Sequence, residues 1–303
     1  MQVLKFGGTS VASPERIVDI VRASLECDRT ILVCSAVSGC TDTLIRLGRL
    51  AAARDESYLQ ELDALYRRHV RLMEGLLPAD RLPAVRASVE ELFDSLKGIL
   101  HGVFLLGELS PASLDAVESY GELFSTKILA DKFTSLGIPC RWLDSRRIVR
   151  TAGGVVDADR TYALVAAAVE EAPYVSLFIV PGFIASDEQG RVTTLGRGGS
   201  DYTASLFAVA VRARRLEIWT EVEAAAAKLR RIGGDMTAQR RVAPKPNGIR
   251  KKLVRLRAFV NRLSVLPVAE TRRRRTPKHH LVRALHKQDA VVRTHRAALH
   301  RRV

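Results

Sequence analysis

The chain has 303 residues, 47% hydrophobic and 27% charged, with a formal net charge of +15. That is length for one large domain with a full core or for two smaller ones, in a composition ordinary for a soluble globular protein. No run reaches the roughly 18 apolar residues of a membrane span: the most apolar stretch, residues 175–185, is interrupted by Pro181 and Gly182. Lys5 and the Gly7-Gly8 pair come before any apolar stretch of signal-peptide length, so a cytoplasmic protein is expected. The four cysteines, Cys27, Cys34, Cys40 and Cys140, form no C-x-x-C pair. They read as buried small hydrophobes rather than a zinc site or disulfide framework.

The charge is unevenly placed. From Ala224 onward 23 Lys and Arg stand against three acids, about +20, whereas the first 223 residues are mildly acidic at about −5. Such asymmetry points to two parts with different origins or different partners.

In chain order, residues 1–10 (MQVLKFGGTS) read as a short apolar strand running into a glycine turn. Ser13 suits a helix N-cap and Pro14 the first helical position, with Ile17, Val18, Ile20 and Val21 as the apolar stripe. Residues 30–35 (TILVCS) are a continuous apolar run of strand length, as in a buried parallel strand, and end in the loop 36–42. This order predicts an α/β fold with a parallel sheet. Residues 43–136 follow a helical pattern, with leucines at three-to-four spacing and Pro78, Pro83 and Pro111 as punctuation. Strand character resumes at 140–144 (CRWLD) and at 175–180 (VSLFIV). A second glycine loop, 193–201 (TTLGRGGSD), leads to a helix from about Tyr202 and a strand at 216–222 (LEIWTEV). Beyond it come an alanine run at 224–227 and an arginine run at 272–275, and from about Leu253 no further element is expected.

Four segments carry chemistry. In Lys5-Phe6-Gly7-Gly8-Thr9-Ser10 a strand ends in two glycines, so main-chain N–H groups can approach a phosphate and the lysine can reach its oxygens as a point charge. Neither Walker A nor dinucleotide spacing is present, and taken alone the motif reads equally as a turn with a solvated lysine. In Gly196-Arg197-Gly198-Gly199-Ser200-Asp201 the backbone is bare. Arg197 offers a planar fork for carboxylate or phosphate, and Asp201 can orient a lysine or help hold magnesium. Glu122, in Ser119-Tyr120-Gly121-Glu122, would ordinarily be a solvated helical charge. The small residues of Ser35 to Thr41 read as a turn or as a substrate loop.

Together KFGGTSV, CSAVSGCTD, SYGE, PGFI, TTLGRGGSDYTA and EIWTEV, in that order, resemble the aspartate kinases of the amino acid kinase family. The resemblance runs continuously to about residue 222, with the helical excursion 43–110 of the aspartate kinase branch. It implies a three-layer α/β/α sandwich around a largely parallel sheet, of the carbamate kinase-like type. It also implies transfer of the ATP γ-phosphoryl to the side-chain carboxylate of L-aspartate, with Mg²⁺, in a cytoplasmic homodimer. The product, 4-phospho-L-aspartate, leads toward lysine, threonine and methionine. By the same likeness Lys5 and Asp201 are the catalytic pair. Lys5, Gly7, Gly8, Thr9, Gly198, Gly199, Thr220, Glu221 and Arg241 would bind nucleotide. Thr41, Glu122, Arg197 and Ser200 would hold aspartate, Arg197 matching its α-carboxylate and Glu122 its ammonium. No residue is assigned directly to the metal. Glu221 stands where the family usually has Asp.

The likeness breaks after Glu223. Residues 224–233 match nothing, 234–244 resume it in part, and beyond about Arg250 it disappears, together with the family's F-G-A-K segment and its C-terminal ACT domains. The expected division is therefore a catalytic domain over 1–250 and a basic tail, irregular and unmatched, over 251–303. Five of the seven histidines lie beyond residue 278, and the Arg, Ala, Pro and His excess is that of GC-rich DNA read out of frame. Two other readings accompany this one. One is a catalytically dead member that binds ligand or a partner. The other is a nucleic-acid-binding protein, for which a +20 tail supplies non-specific phosphate attraction. That tail offers only Phe259 as a stacking platform.

Overall fold

A computed structural model describes residues 1–12, 14–221 and 249–254. The elements are β1 (Gln2–Phe6), α1 (Gly8–Val11), α2 (Pro14–Leu25), β2 (Thr30–Cys34), α3 (Cys40–Ala52), α4 (Ser57–Leu76), α5 (Leu82–Leu106), α6 (Pro111–Ser135) and β3 (Cys140–Trp142). Then come α7 (Ser145–Ile148), β4 (Thr151–Ala152), β5 (Val155–Val156), α8 (Ala158–Glu170), β6 (Leu177–Pro181), β7 (Ile184–Ser186), β8 (Val192–Thr194), α9 (Gly199–Ala210), β9 (Arg215–Glu221) and β10 (Ile249–Val254).

The main sheet has the order β10-β9-β1-β2-β6-β3, and β9, β1, β2, β6 and β3 are mutually parallel. Strand alternation sorts its side chains into two cores. Leu4, Phe6, Leu32, Cys34, Leu177 and Ile179 face a layer built from α2 to α6. Val3, Ile31, Val33, Phe178 and Val180 face α8 and α9. This is the expected three-layer sandwich. Two small antiparallel pairs, β4 with β5 and β7 with β8, stand outside the main sheet.

The apolar runs read as strands form β2 and β6, β6 beginning two residues later than expected and ending one later, at Pro181. The first glycine segment is more than a turn, because Gly8 opens the one-turn helix α1. The second glycine segment joins α9 three residues earlier than the expected Tyr202. Near the end of the first domain the chain adds β10 antiparallel to β9, across the boundary drawn at residue 250. The Ser13 cap, Arg241 and the rest of the basic tail, with its out-of-frame reading, lie outside the described residues. Cys34 and Cys40 are buried, and burial pushes both thiols up, Cys40 to about 12. Cys27 is exposed, against the expectation of burial, because it follows the last turn of α2 at the surface.

Helix α6 is framed by a Ser110 cap, whose Oγ accepts from Ser113 N at 3.1 Å, and by Pro111 in its first turn. From Val117 to Phe133 it is buried on nearly every side, since α3 and α5 cover one flank and the sheet the other. Against it lies His69 of α4, 1% exposed, packed on Phe93 and Phe124. Its Nδ1 lies 2.9 Å from Leu65 O and its Nε2 has no hydrogen-bond partner among the described residues. Burial holds this imidazole down at about 4.

The sign of the stability effect follows. Below the ordinary histidine pKa the unfolded chain takes a proton that the native state refuses until about pH 4, so stability falls as pH drops through that window. At pH 5 the loss from this one residue is about 2 kcal/mol. Urea midpoints of the wild type and of His69→Leu at pH 7.5 and pH 5 test this. The variant should lose distinctly less stability between the two pH values, and equal losses would show that His69 is protonated in the native state.

Candidate active site

Because β1, β2 and β6 are parallel, their carboxyl ends share one edge of the sheet, where open α/β sheets place their ligand crevice. Main-chain bonds tie the three exits together. Ser35 N donates to Phe6 O at 3.2 Å, Gly182 N to Cys34 O at 2.9 Å, and Ser38 N to Gly8 O at 3.0 Å. Around them lies a cavity of about 420 Å³.

Three glycines make this convergence possible. A Cβ on Gly8 would lie 2.7 Å from Ala36 O, one on Gly121 would lie 2.7 Å from Ala36 Cβ, and one on Gly182 would lie 2.7 Å from Ser200 Cβ and 2.9 Å from Ser200 Cα. Each distance is shorter than packed atoms tolerate, so no other residue fits without displacing a loop or helix. Gly198, at φ +77, turns the chain into α9 in the left-handed region. Among the described residues no side chain caps α9; Gly199 N donates to Gly196 O at 2.8 Å, and the first turn, Gly199 to Asp201, borders the cavity with its positive dipole end. Phe183 holds a φ of +69, unusual for a bulky residue; its N donates to Thr203 Oγ1 at 3.1 Å and its O accepts from Leu195 N at 2.7 Å.

Lys5 is the central charge. Alternation along β1 puts it on the same face as Val3, toward α9. There its Nζ meets Asp201 Oδ1 at 2.8 Å. The lysine is 9% exposed, so this partner compensates a cation otherwise costly to bury. Ser35 Oγ donates to Ser200 Oγ at 3.0 Å, bridging β2 to α9. Arg197 is exposed at the rim, with no hydrogen bond or ion pair among the described residues.

Glu122 is only 4% exposed, which overturns the expectation of a solvated helical charge. The close approach of α6 to Ala36, allowed by Gly121, seals it from water. Burial raises its carboxyl to about 8, against the pull of the Ala36 and Glu122 main-chain N–H groups and of Lys5. Its Oε2 has no hydrogen-bond partner among the described residues.

Of the site residues expected from sequence, Lys5, Gly8, Thr41, Glu122, Arg197, Gly198, Gly199, Ser200 and Asp201 border one cavity. Gly7 and Thr9 do not border it; Gly7 N instead donates to Trp219 O at 3.3 Å, holding β1 to β9. Thr220 and Glu221 belong to β9, beside the end of β1, and Arg241 lies outside the described residues. Ser35, Ala36, Val37, Ser38 and Gly39, expected only as a turn or a substrate loop, also border the cavity, as do Gly196 of the second glycine loop and Asp42 and Phe183, which carried no expected role. The signal for most of them was the run of small residues after a buried strand. For Phe183 there was only its place after Pro181-Gly182. Among the described residues no group of three or more His, Cys, Asp or Glu could hold a metal ion.

The glycine contacts make a paired test. Gly182→Ala forces Ser200 and the start of α9 to move and should lower thermal stability by about 1–3 kcal/mol. Gly98→Ala, in α5 with nothing within 4 Å of the new Cβ, should raise it by about 0.5–1 kcal/mol. Thermal denaturation of the two variants would contradict the packing argument if Gly182→Ala melted at or above the wild type.

The family model of the amino acid kinases matches residues 1–224. The lysine-sensitive aspartokinase 3 of Escherichia coli is 36% identical over 228 residues, covering 73% of this chain and 49% of the relative. The chloroplastic bifunctional aspartokinase/homoserine dehydrogenase 2 of Arabidopsis thaliana is 32% identical over 235 residues, covering 73% of this chain and 25% of the relative. The crystal structure of E. coli aspartokinase III in complex with aspartate and ADP superposes with a TM-score of 0.66 at 34% identity, over 73% of this chain and 49% of that one. This chain thus spans a quarter to a half of the length of these relatives. A convergent set of glycine loops around a buried lysine, matched by the family model over most of the chain, establishes that this protein belongs to the amino acid kinase family.

Proposed function

We propose that this chain is an aspartate kinase, transferring the γ-phosphoryl of ATP to the side-chain carboxylate of L-aspartate and giving 4-phospho-L-aspartate, the entry to lysine, threonine and methionine. The observation that carries this reading is the Lys5–Asp201 ion pair at 2.8 Å, set between two glycine loops, in a cavity that also holds Glu122 and Arg197. Its charges suit both reactants. Lys5 and the uncapped start of α9 favour phosphate oxygens. Arg197 matches an α-carboxylate as a bidentate fork, and Glu122 matches an ammonium. Thr41 and Ser200 supply hydroxyls beside them. The solved E. coli relative was crystallised with aspartate and ADP, which agrees with this assignment.

The acceptor carboxylate is already ionised at neutral pH, so no strong general base is needed. The protein's work is to position two anions against each other and to offset the charge on the transferring oxygens. Lys5, fixed in direction by Asp201, is the group placed for that. Gly7, Gly8, Thr9, Gly198 and Gly199 would approach the nucleotide through their backbone, and Thr220, Glu221 and Arg241 are further nucleotide-binding candidates. Magnesium fits as an ion carried by the phosphates, since the described residues offer no protein cage, and Asp201 can add one oxygen. It would supply charge neutralisation at the phosphoryl oxygens. No helix among the described residues is long and apolar enough to cross a membrane. A cytoplasmic homodimer is the proposed state, with non-specific nucleic-acid attraction through the basic tail.

The test is ATP- and Mg²⁺-dependent acyl phosphate formation from L-aspartate, trapped as the hydroxamate, with L-glutamate as a control. Lys5→Ala should lower turnover about 10²–10³-fold in a protein that still folds. A folded wild-type chain with no aspartate-dependent product would remove the assignment of activity to this chain.

A further inference from the structure

Glu122 combines two properties that are costly together. It borders the cavity, yet it is 4% exposed and one of its oxygens has no hydrogen-bond partner among the described residues. A carboxylate in that position would be a poorly solvated charge, whereas a carboxylic acid would be tolerated. The charged and titratable groups around it do not rescue the ionised form. Lys5, from β1, favours it but is engaged by Asp201 of α9 at 2.8 Å. Glu118, one turn earlier on α6, opposes it, and Glu118 is itself pushed up by burial and by Asp115. Cys40, from α3, is a neutral thiol, held up by burial and by Glu122 against the pull of Arg68 of α4. Arg197 lies exposed at the rim.

We propose that Glu122 is a neutral acid in the empty site and gives up its proton to solvent when a substrate ammonium docks, so that an α-amino dicarboxylate binds with release of one proton. The inference rests on the aspartate kinase reading and deepens it by assigning the site's preference for an amino acid over a plain dicarboxylate. The balance is simple. A carboxylic acid and a zwitterionic dicarboxylate become a carboxylate–ammonium pair and one free proton, with no bond to carbon, nitrogen or phosphorus changed. An opposite charge arriving within a few ångströms favours the ionised acid, and this reverses the effect of burial. A ligand without the ammonium has nothing to offer Glu122 and leaves it protonated.

Linkage fixes the pH dependence. Below about pH 8, where burial keeps the carboxyl protonated, affinity for aspartate should rise about tenfold per pH unit, and it should level off above that. The decisive experiment is titration calorimetry of the full chain with L-aspartate at pH 7, with and without ADP, in buffers of different ionisation enthalpy. The expected result is close to one proton released per aspartate, falling toward zero above pH 9, and none with succinate. Glu122→Gln, checked by its melting temperature, should bind aspartate at least tenfold more weakly and without buffer dependence. The infrared band of a protonated carboxyl should be present in the empty wild type, lost on adding aspartate, retained with succinate, and absent from Glu122→Gln. Aspartate binding without proton release, or release that persists in Glu122→Gln, would overturn the proposal while leaving the kinase reading in place. A folded chain that binds no aspartate at any pH, with or without ADP, would remove the kinase reading and the proposal with it.

Discussion

The pairing of Lys5 with Asp201 is the constraint on which the site depends. A lysine with this little exposure cannot remain a bare cation without a large desolvation cost, and removing its partner would leave an uncompensated buried charge worth about 3–5 kcal/mol. The pair joins β1 to the first turn of α9, so the direction of the lysine and the position of the second glycine loop are set together. What the fold contributes is the alternation of β1. Val3 packs against α9, and Lys5, two residues on, must face the same way. A one-residue slip of that strand would send the ammonium into the helical layer that Leu4 and Phe6 now fill. The parallel register of β1 with β2 and β9, buried on both faces, forbids the slip.

Around that pair the site is built by close approach of main chain. Gly8, Gly121 and Gly182 sit where a single methyl group would collide with the next segment. They bring the loop after β2 between the start of α1 and the side of α6, and they bring the exit of β6 against α9. Ser35 then reaches both partners: its Oγ donates to Ser200 Oγ at 3.0 Å and its O accepts from Ser125 Oγ at 2.9 Å. The same small residues that would let phosphate approach the backbone let the protein's own segments approach one another. For Gly8, on the cavity, the two demands coincide. For Gly121 and Gly182 the structure supplies a packing reason alone.

How much of this the sequence could reveal depends on how local each cause is. Continuous apolar runs made β2 and β6 legible, and leucine spacing made the stretch 43–136 legible as helical without dividing it into α3 to α6. α6 was harder, because a helix buried on almost every face from Val117 to Phe133 has no polar stripe to set its period. The glycine loops were visible as motifs, but the collisions that require Gly121 and Gly182 involve Ala36 and Ser200, distant in the chain. Glu122 shows the limit most clearly. Its neighbours in sequence describe an ordinary helical glutamate, and its burial comes from a loop after β2 that no local pattern could place against it.

That burial is also rigid. Phe124, next to the site on α6, stacks on Phe93 at 4.1 Å between ring centroids and packs against His69. Tyr120 OH lies 2.7 Å from Ser95 Oγ, and Thr126 Oγ1 accepts from Trp142 Nε1 at 2.9 Å. These contacts anchor α6 to α4, α5 and β3 on either side of Glu122, so the helix cannot roll its carboxyl out to water without breaking the core. A side chain held in this way can relieve its charge in two ways, by taking a proton or by meeting a cation. On the proposed reading, the helix that completes the hydrophobic core would also make Glu122 responsive to whether the bound molecule carries an ammonium, with no moving part.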